Sequence, residues 1–254
     1  MAERPHVDPD RSAPAWRTCL DIEGQEAGRY PDTVNAGLFD AIAGAPRRVL
    51  ELGCAAGAFG AALKVRYPGA TVTGIEAGHA AAAVAATRID RVIRSRIEEV
   101  DFAAAGLAHG EFDTLIAADI LEHLVNPWET LVRVKPFLAP DAQVVASIPN
   151  VRNAILIAAL AVNGRWQYRE RGLLDVTHLR FFTLEEIRRM LEETGYRYEH
   201  HVVNLSPPLA DVYRRNANRE KVSLELGRLT ISDLSPAELA ELCAEQFFVR
   251  ARAA

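Results

Sequence analysis

The sequence predicts an α/β fold, built as a mostly parallel sheet with helices on both of its faces. Apolar segments of strand length alternate five times with segments of helical spacing, an order typical of parallel strands joined by helices. The apolar segments have few polar interruptions, as expected for strands that are buried on both faces. The five predicted strands are 48–51, 71–76, 92–97, 112–118 and 144–148.

Helical spacing marks the segments between and after these strands. The predicted helices run through 30–42, 59–65, 79–87 and 131–134. A further helix begins at Thr183, which forms the pattern of a capping box with Glu186, and ends at Gly195. Two last strands, at 196–203 and 246–251, complete the predicted elements.

Length and composition set the domain organisation. The chain has 254 residues, enough for one large domain with a substantial core. Residues 1–28 are rich in Pro, Arg and Asp without periodicity, so we expect an N-terminal lead-in there and a single domain over 29–254. Within that domain, 206–243 is predicted to be a helical insertion between the last two strands.

Charge and cysteine content argue against several classes of protein. The net charge is −5 and no run of Lys or Arg stands out, which disfavours a nucleic-acid or anionic-membrane partner. The three cysteines have neither disulfide nor zinc spacing, as expected in a reducing compartment. The first residues lack the apolar core of a signal peptide, and the longest apolar run, 154–162, is too short to span a bilayer. We therefore expect a cytoplasmic protein.

A glycine-rich turn follows the first predicted strand and carries the sharpest chemical signal. Gly53 and Gly57 allow a tight strand-to-helix turn and a close approach of ligand to backbone. Glu51 stands directly before the glycines, where its charge favours a cationic or hydroxylated ligand over a phosphate. Glu76 closes the second strand, and a carboxylate there is suited to accept both hydroxyls of a ribose.

A second polar cluster follows the fourth predicted strand. The segment contains Asp119, Glu122 and His123, at the edge where open α/β sheets bind their ligands. Another histidine, His178, lies in the distant segment 174–183. Carboxylates and imidazoles in this arrangement predict acid–base or metal chemistry.

These segments resemble the class I S-adenosylmethionine (SAM)-dependent methyltransferases. Glu51, Gly53 and Gly57 match the first motif of that family, with Ala55 in place of its middle glycine. The segment from Asp119 to His123 resembles the fourth-strand motif of many small-molecule methyltransferases. The resemblance implies a Rossmann-like sheet of seven strands and SAM as the cofactor.

Two further segments resemble one particular subgroup of this family. The Ser-Ile-Pro-Asn segment 147–150 and the segment 174–183 resemble a methyltransferase subgroup found in glycan and secondary-metabolite biosynthesis. The resemblance covers roughly residues 30–196 and the final strand.

The resemblance also implies which residues bind the cofactor. Glu51 is expected near the amino-acid end of SAM, Glu76 at the ribose hydroxyls and Ile97 against the adenine. The full set of predicted cofactor-binding residues is Tyr30, Glu51, Gly53, Cys54, Ala55, Gly57, Glu76, Ala77, Arg96, Ile97, Asp119, Ile120 and Leu121.

Three roles fit the two motif histidines, and all three stay open at this point. His123 or His178 is a candidate general base, because the unperturbed pKa of an imidazole, about 6.5, lies near working pH. Alternatively, Asp119, Glu122, His123 and His178 together hold a divalent metal ion that lowers the pKa of a bound hydroxyl. A Glu–His pair at the start of a helix is also a simple helix cap.

We predict an enzyme that transfers the methyl group of SAM to a hydroxyl of a small molecule, such as a sugar or a secondary-metabolite precursor. The sulfonium already activates the methyl group, so the main tasks of the protein are alignment and exclusion of water. The alternatives are N- or C-methyl transfer and a non-catalytic SAM-binding protein. Glu51 disfavours a nicotinamide oxidoreductase, whose turn binds a pyrophosphate. Whether the chain pairs as a homodimer stays open.

Overall fold

The structure is a computed structural model that describes residues 34–254. The predicted lead-in 1–28 and the predicted cofactor-binding residue Tyr30 lie outside the described residues. Where the sequence predicts a helix over 30–42, the described part is a 3₁₀ helix, Ala36–Ala41.

A sheet of seven strands forms the centre of the molecule. The strands of the described chain are β1 (Arg48–Leu52), β2 (Thr71–Glu76), β3 (Arg91–Arg94), β4 (Phe112–Ala118), β5 (Leu138–Pro149), β6 (Tyr196–Leu205), β7 (Val222–Leu226), β8 (Leu229–Leu234) and β9 (Ala244–Ala253). The main sheet has the order β3-β2-β1-β4-β5-β9-β6. Strands β1 to β5 pair in parallel, whereas β9 pairs antiparallel with both β5 and β6. The predicted mostly parallel seven-stranded sheet is therefore confirmed.

Helices connect the strands and cover the sheet. They are α1 (Ala58–Arg66), α2 (His79–Ala85), α3 (Pro127–Val134), α4 (Ala154–Asn163), α5 (Leu184–Glu193), α6 (Pro207–Asn216) and α7 (Pro236–Cys243). The predicted N-cap of α5 is confirmed, because the Thr183 hydroxyl accepts a hydrogen bond from the Glu186 amide. Within 34–254, no helix combines the length and the hydropathy that crossing a membrane requires.

Alternate residues of each strand point to the two faces of the sheet, and each face has its own core. Val49 of β1 packs with Leu38 and Leu63, under the 3₁₀ helix Ala36–Ala41 and α1. Its neighbour Leu50 belongs to the core on the opposite face, together with residues of α3 and α5 such as Leu131. Burial on both faces explains why the strands read as unbroken apolar segments.

The segment 206–243 differs from the helical insertion that the sequence predicts. It begins and ends with helices, α6 and α7, as predicted, but its middle is the antiparallel hairpin β7–β8. Val222 and Leu224 are buried and alternate with exposed residues, and Gly227 takes a positive φ of 66° in the turn. This two-residue period and the glycine are signals of a hairpin, so a purely helical insertion is wrong.

Candidate functional site

The carboxyl ends of the parallel strands meet at one edge of the sheet. β1 lies between β2 and β4, and β4 pairs with β5, all in parallel register. Residues that directly follow these strands therefore lie close together, at the edge where open α/β sheets bind ligands.

The turn after β1 requires glycine at two positions. Gly53 has φ +64°, and a Cβ on it would lie 2.6 Å from Cδ1 of Ile120. Gly57, at the N-terminus of α1, has φ +76°, and a Cβ there would lie 3.0 Å from the Cα of Ala85. Ala55 also takes a positive φ, 46°, although it carries a side chain. The two glycines thus let the turn pack closely against Ile120 and Ala85.

Glu76 holds this turn in place from the end of β2. Its Oε2 accepts a hydrogen bond from the Ala55 amide at 2.9 Å, and its Oε1 accepts one from the Gly78 amide at 2.7 Å. Burial raises the pKa of Glu76, and these hydrogen bonds partly offset the shift. The carboxylate is therefore fixed by backbone on both sides, in the place predicted for the ribose contact.

Glu51 lies beneath the turn. Its side chain is buried against Gly60 at the start of α1, and its Oε2 has no hydrogen-bond partner. Burial, with the nearby Glu76 charge, raises the pKa of Glu51 to about 8. Cys54 is buried as well and packs against Gly74, so it offers its backbone to this edge.

The residues after β2 and β3 differ in exposure. Ala77 is exposed at the sheet edge directly after Glu76. The guanidinium of Arg96 is half-exposed and lies 3.6 Å from a carboxylate oxygen of Glu99. Ile97 is buried in the core, so only part of its surface is available to a ligand.

Asp119 follows β4 in a left-handed backbone conformation, with φ +49°. Its amide donates to the Ser147 hydroxyl at 2.9 Å, and its Oδ1 accepts from Nε2 of Gln246 at 2.8 Å. The next two residues point elsewhere: Ile120 covers Gly53, and Leu121 is fully buried in the core.

Glu122, His123 and His178 form a compact cluster beside this turn. One ligand atom from each lies within 4.8 Å of the others. The two imidazole centroids are 4.7 Å apart, and His178 Nε2 is 3.9 Å from Glu122 Oε1. Asp119 is not part of the cluster, so the predicted four-residue set is reduced to three.

Backbone hydrogen bonds bring the distant histidine to the cluster. The amides of Leu179 and Arg180 both donate to the Glu122 carbonyl, at 2.8 and 3.0 Å. This contact joins the segment 174–183 to the 3₁₀ helix Leu121–His123. The two segments that sequence reasoning singled out are therefore one site.

The hydrogen-bond network identifies the tautomer of both histidines. The Thr177 hydroxyl donates to Asp175 Oδ1 at 2.7 Å, so it is an acceptor toward His123 Nδ1, 3.0 Å away. His123 Nδ1 also faces the Thr177 carbonyl, and His178 Nδ1 faces the Leu173 carbonyl. Carbonyls only accept, so both Nδ1 atoms carry the proton and both Nε2 atoms are unprotonated acceptors.

The electrostatics of the cluster follow from burial. Desolvation lowers the pKa of His123 and of His178, so both rings are neutral near pH 7. The Glu122 side chain is 1% exposed, and neither of its carboxylate oxygens has a hydrogen-bond partner. Its pKa is raised by burial and by the charge of Asp119.

Acidic groups dominate this edge of the sheet. Glu51, Glu76, Asp119 and Glu122 all lie here, and none of them is paired with Lys or Arg among the ion pairs within 34–254. SAM carries a sulfonium and an ammonium group, which acidic side chains without a basic partner favour. The residues present therefore fit the predicted cofactor.

Sequence reasoning missed several residues of the site. Asp175 and Thr177 orient His123, and Ser147 and Gln246 hold Asp119. Asp175, Thr177 and Ser147 lie in segments that the resemblance marked, whereas Gln246 lies in the final strand without any motif around it.

Comparison with known proteins places the chain in a family. A family model described as a methyltransferase domain matches residues 23–201. A ubiquinone biosynthesis O-methyltransferase of Thiobacillus denitrificans is 30% identical over 182 residues, 69% of this chain and 75% of that protein. A malonyl-[acyl-carrier protein] O-methyltransferase of Geobacter sulfurreducens is 26% identical over 165 residues, 60% of this chain and 56% of that protein.

Solved structures agree with the fold. A SAM-dependent methyltransferase from Thermotoga maritima, described as a possible histamine N-methyltransferase, has a TM-score of 0.55 at 15% identity, covering 90% of this chain and 91% of that chain. The family model spans well over half of the sequence, and the mostly parallel seven-stranded sheet is the one that the resemblance implies. The chain therefore belongs to the methyltransferase-domain family, as a class I member that uses S-adenosylmethionine.

Proposed function

We propose that the chain transfers the methyl group of SAM to a hydroxyl of a small molecule, which binds at Glu122, His123 and His178. One observation carries this proposal. The Nε2 atoms of His123 and His178 are unprotonated acceptors, and the buried carboxyl group of Glu122 beside them has no hydrogen-bond partner. A hydroxyl group supplies a donor to these imidazoles.

The network behind His123 supports its role as the general base. Asp175 accepts from the Thr177 hydroxyl, which accepts from His123 Nδ1, so the proton on Nδ1 is held in place. The hydroxyl oxygen attacks the methyl carbon, and the carbon–sulfur bond breaks with its electron pair going to sulfur. The hydroxyl proton passes to Nε2 of His123, and the charge of Asp175 stabilises the imidazolium.

The relatives support oxygen as the accepting atom. Both curated relatives cited above are named O-methyltransferases, although their named substrates differ widely. A panel of candidate acceptors should therefore include phenols and carboxylic acids as well as sugars. A sugar or a secondary-metabolite precursor is the class that the sequence resemblance favours.

The cluster also supports a second candidate, metal-assisted O-methylation. A carboxylate and two neutral imidazoles within 4.8 Å of one another form a donor set suited to a divalent cation. Glu122, His123 and His178 would hold the ion, which would lower the pKa of the bound hydroxyl. In that case the acceptor hydroxyl would lose its proton to solvent and not to a histidine.

One assay tests the proposal and separates the two candidates. The purified protein is incubated with methyl-labelled SAM and the acceptor panel, with and without a chelator, and labelled methyl ethers and methyl esters are measured. We expect O-methylated product. Activity that survives the chelator supports the general base, whereas activity that disappears and returns with Mg²⁺ or Zn²⁺ supports the metal. Methylation only of amines or carbon acceptors would refute hydroxyl transfer.

A further inference from the structure

We infer that Gln246 is a positioning residue that holds the Asp119 carboxylate toward the cofactor. The inference rests on the proposed function, because it takes Asp119 to lie beside SAM. Gln246 lies in β9, at the position opposite Pro149 of β5 and Asn204 of β6. It is 127 positions from Asp119 in sequence and beyond the 23–201 match to the family model.

The side-chain amide of Gln246 joins three parts of the chain. Its Nε2 donates to Asp119 Oδ1 at 2.8 Å. Its Oε1 accepts from Nδ2 of Asn35 and from Nδ2 of Asn204, both at 2.9 Å. An ionised carboxylate can only accept, so the charge of Asp119 determines which end of the Gln246 amide faces it and, through Oε1, the orientation of both asparagines.

The side chain of Asn35 takes part in this network and does not cap the helix that follows it. Asn35 is the N-cap of the 3₁₀ helix Ala36–Ala41, where an asparagine side chain usually accepts from the helix backbone. It makes no such capping bond and donates to Gln246 instead. The amide network therefore competes successfully with a helix cap.

Asp119 itself needs external support. A left-handed φ costs free energy for a residue with a Cβ and persists where the surroundings fix it. Ser147 binds the backbone amide of Asp119, and Gln246 binds its carboxylate. Asp119 is nevertheless exposed at the sheet edge, so the support does not remove it from a ligand.

Calorimetric binding of two ligands tests the inference. SAM is cationic, and 5′-methylthioadenosine keeps the nucleoside but lacks the sulfonium and the amino-acid group. We expect Gln246→Met to weaken SAM binding about tenfold, because Asp119 is no longer held toward the cation, and to change methylthioadenosine binding less than twofold. Gln143→Met is the matched control: Gln143 bonds Ala43 and Thr114 far from Asp119, so its loss should leave both affinities unchanged.

A double-mutant cycle tests whether Gln246 acts through Asp119. Asp119→Asn alone should weaken SAM binding by at least tenfold, and adding Gln246→Met to it should cause no further loss. Equal loss for both ligands, or additive losses in the double variant, would overturn the inference and leave Gln246 a structural residue. If the unsubstituted protein binds no SAM, the proposed function fails first.

Discussion

Glu76 and Glu122, one carboxyl group from each half of the site, are satisfied in opposite ways. At the cofactor half, both oxygens of Glu76 accept backbone amides from the turn that they stabilise. At the acceptor half, both oxygens of Glu122 are buried without any partner. A buried acceptor without a partner costs free energy, so it indicates a group that is completed by a ligand. The turn held by Glu76 is thus built before the cofactor binds, whereas Glu122 is left incomplete in the acceptor half.

The largest effect is expected from a substitution that disrupts only the acceptor half of the site. His123→Asn should lower kcat by about 10²- to 10³-fold, because the base that takes the hydroxyl proton is lost. SAM affinity, measured by calorimetry, should change less than twofold. His200→Asn, on the edge strand β6, is the control and should leave both quantities unchanged. An active His123→Asn variant would remove His123 from the mechanism.

A smaller effect is expected from breaking the cofactor half. Glu76→Ala removes the ribose contact and both hydrogen bonds that hold the turn, so SAM should bind about 10- to 100-fold more weakly. Glu99→Ala, which removes an exposed carboxylate from the 3₁₀ helix Ile97–Glu99 after β3, is the control. If both variants bind SAM equally well, the ribose assignment of Glu76 is wrong.

The third substitution, at Glu51 in the cofactor half, is expected to change the free energy of unfolding. The pKa of Glu51 is raised to about 8 in the folded protein, so folding favours its protonated form. That stability is fully present below pH 4.5 and is lost as the pH rises through 8, because the unfolded chain ionises first. Glu51→Gln should therefore gain stability over the parent between pH 5 and 8, on the order of 1–3 kcal/mol.

Thermal unfolding of both proteins without cofactor, followed across that pH range, measures the difference. Two parallel stability curves would show that Glu51 is not the group that titrates. A difference that widens toward low pH would show the opposite sign and contradict the raised pKa.

Local signals explain what the sequence could predict. Gly53, Gly57 and Glu76 were identified because a turn with positive φ demands glycine and because strand ends place carboxylates at the sheet edge. Thr183 was identified as a cap from four residues of sequence. Each of these signals acts over a few residues or within one β–α–β unit.

Long-range geometry explains what it could not predict. The sequence predicts Asp119 as a metal ligand together with Glu122, but the side chain of Asp119, which has a left-handed backbone, binds Gln246 instead. Neither that φ value nor a partner 127 positions away can be read from the local pattern. The hairpin β7–β8 was missed because its two-residue alternation lies between helical segments.

The Glu122 carbonyl has a consequence for redesign of the acceptor site. It receives the amides of Leu179 and Arg180, so the segment that carries His178 docks through main-chain atoms. Main-chain docking tolerates changes of side chain, since every residue other than proline offers the same amide. The exposed side chain of Leu179 can therefore be exchanged to alter acceptor choice while the attachment of the segment, and the position of His178, is kept.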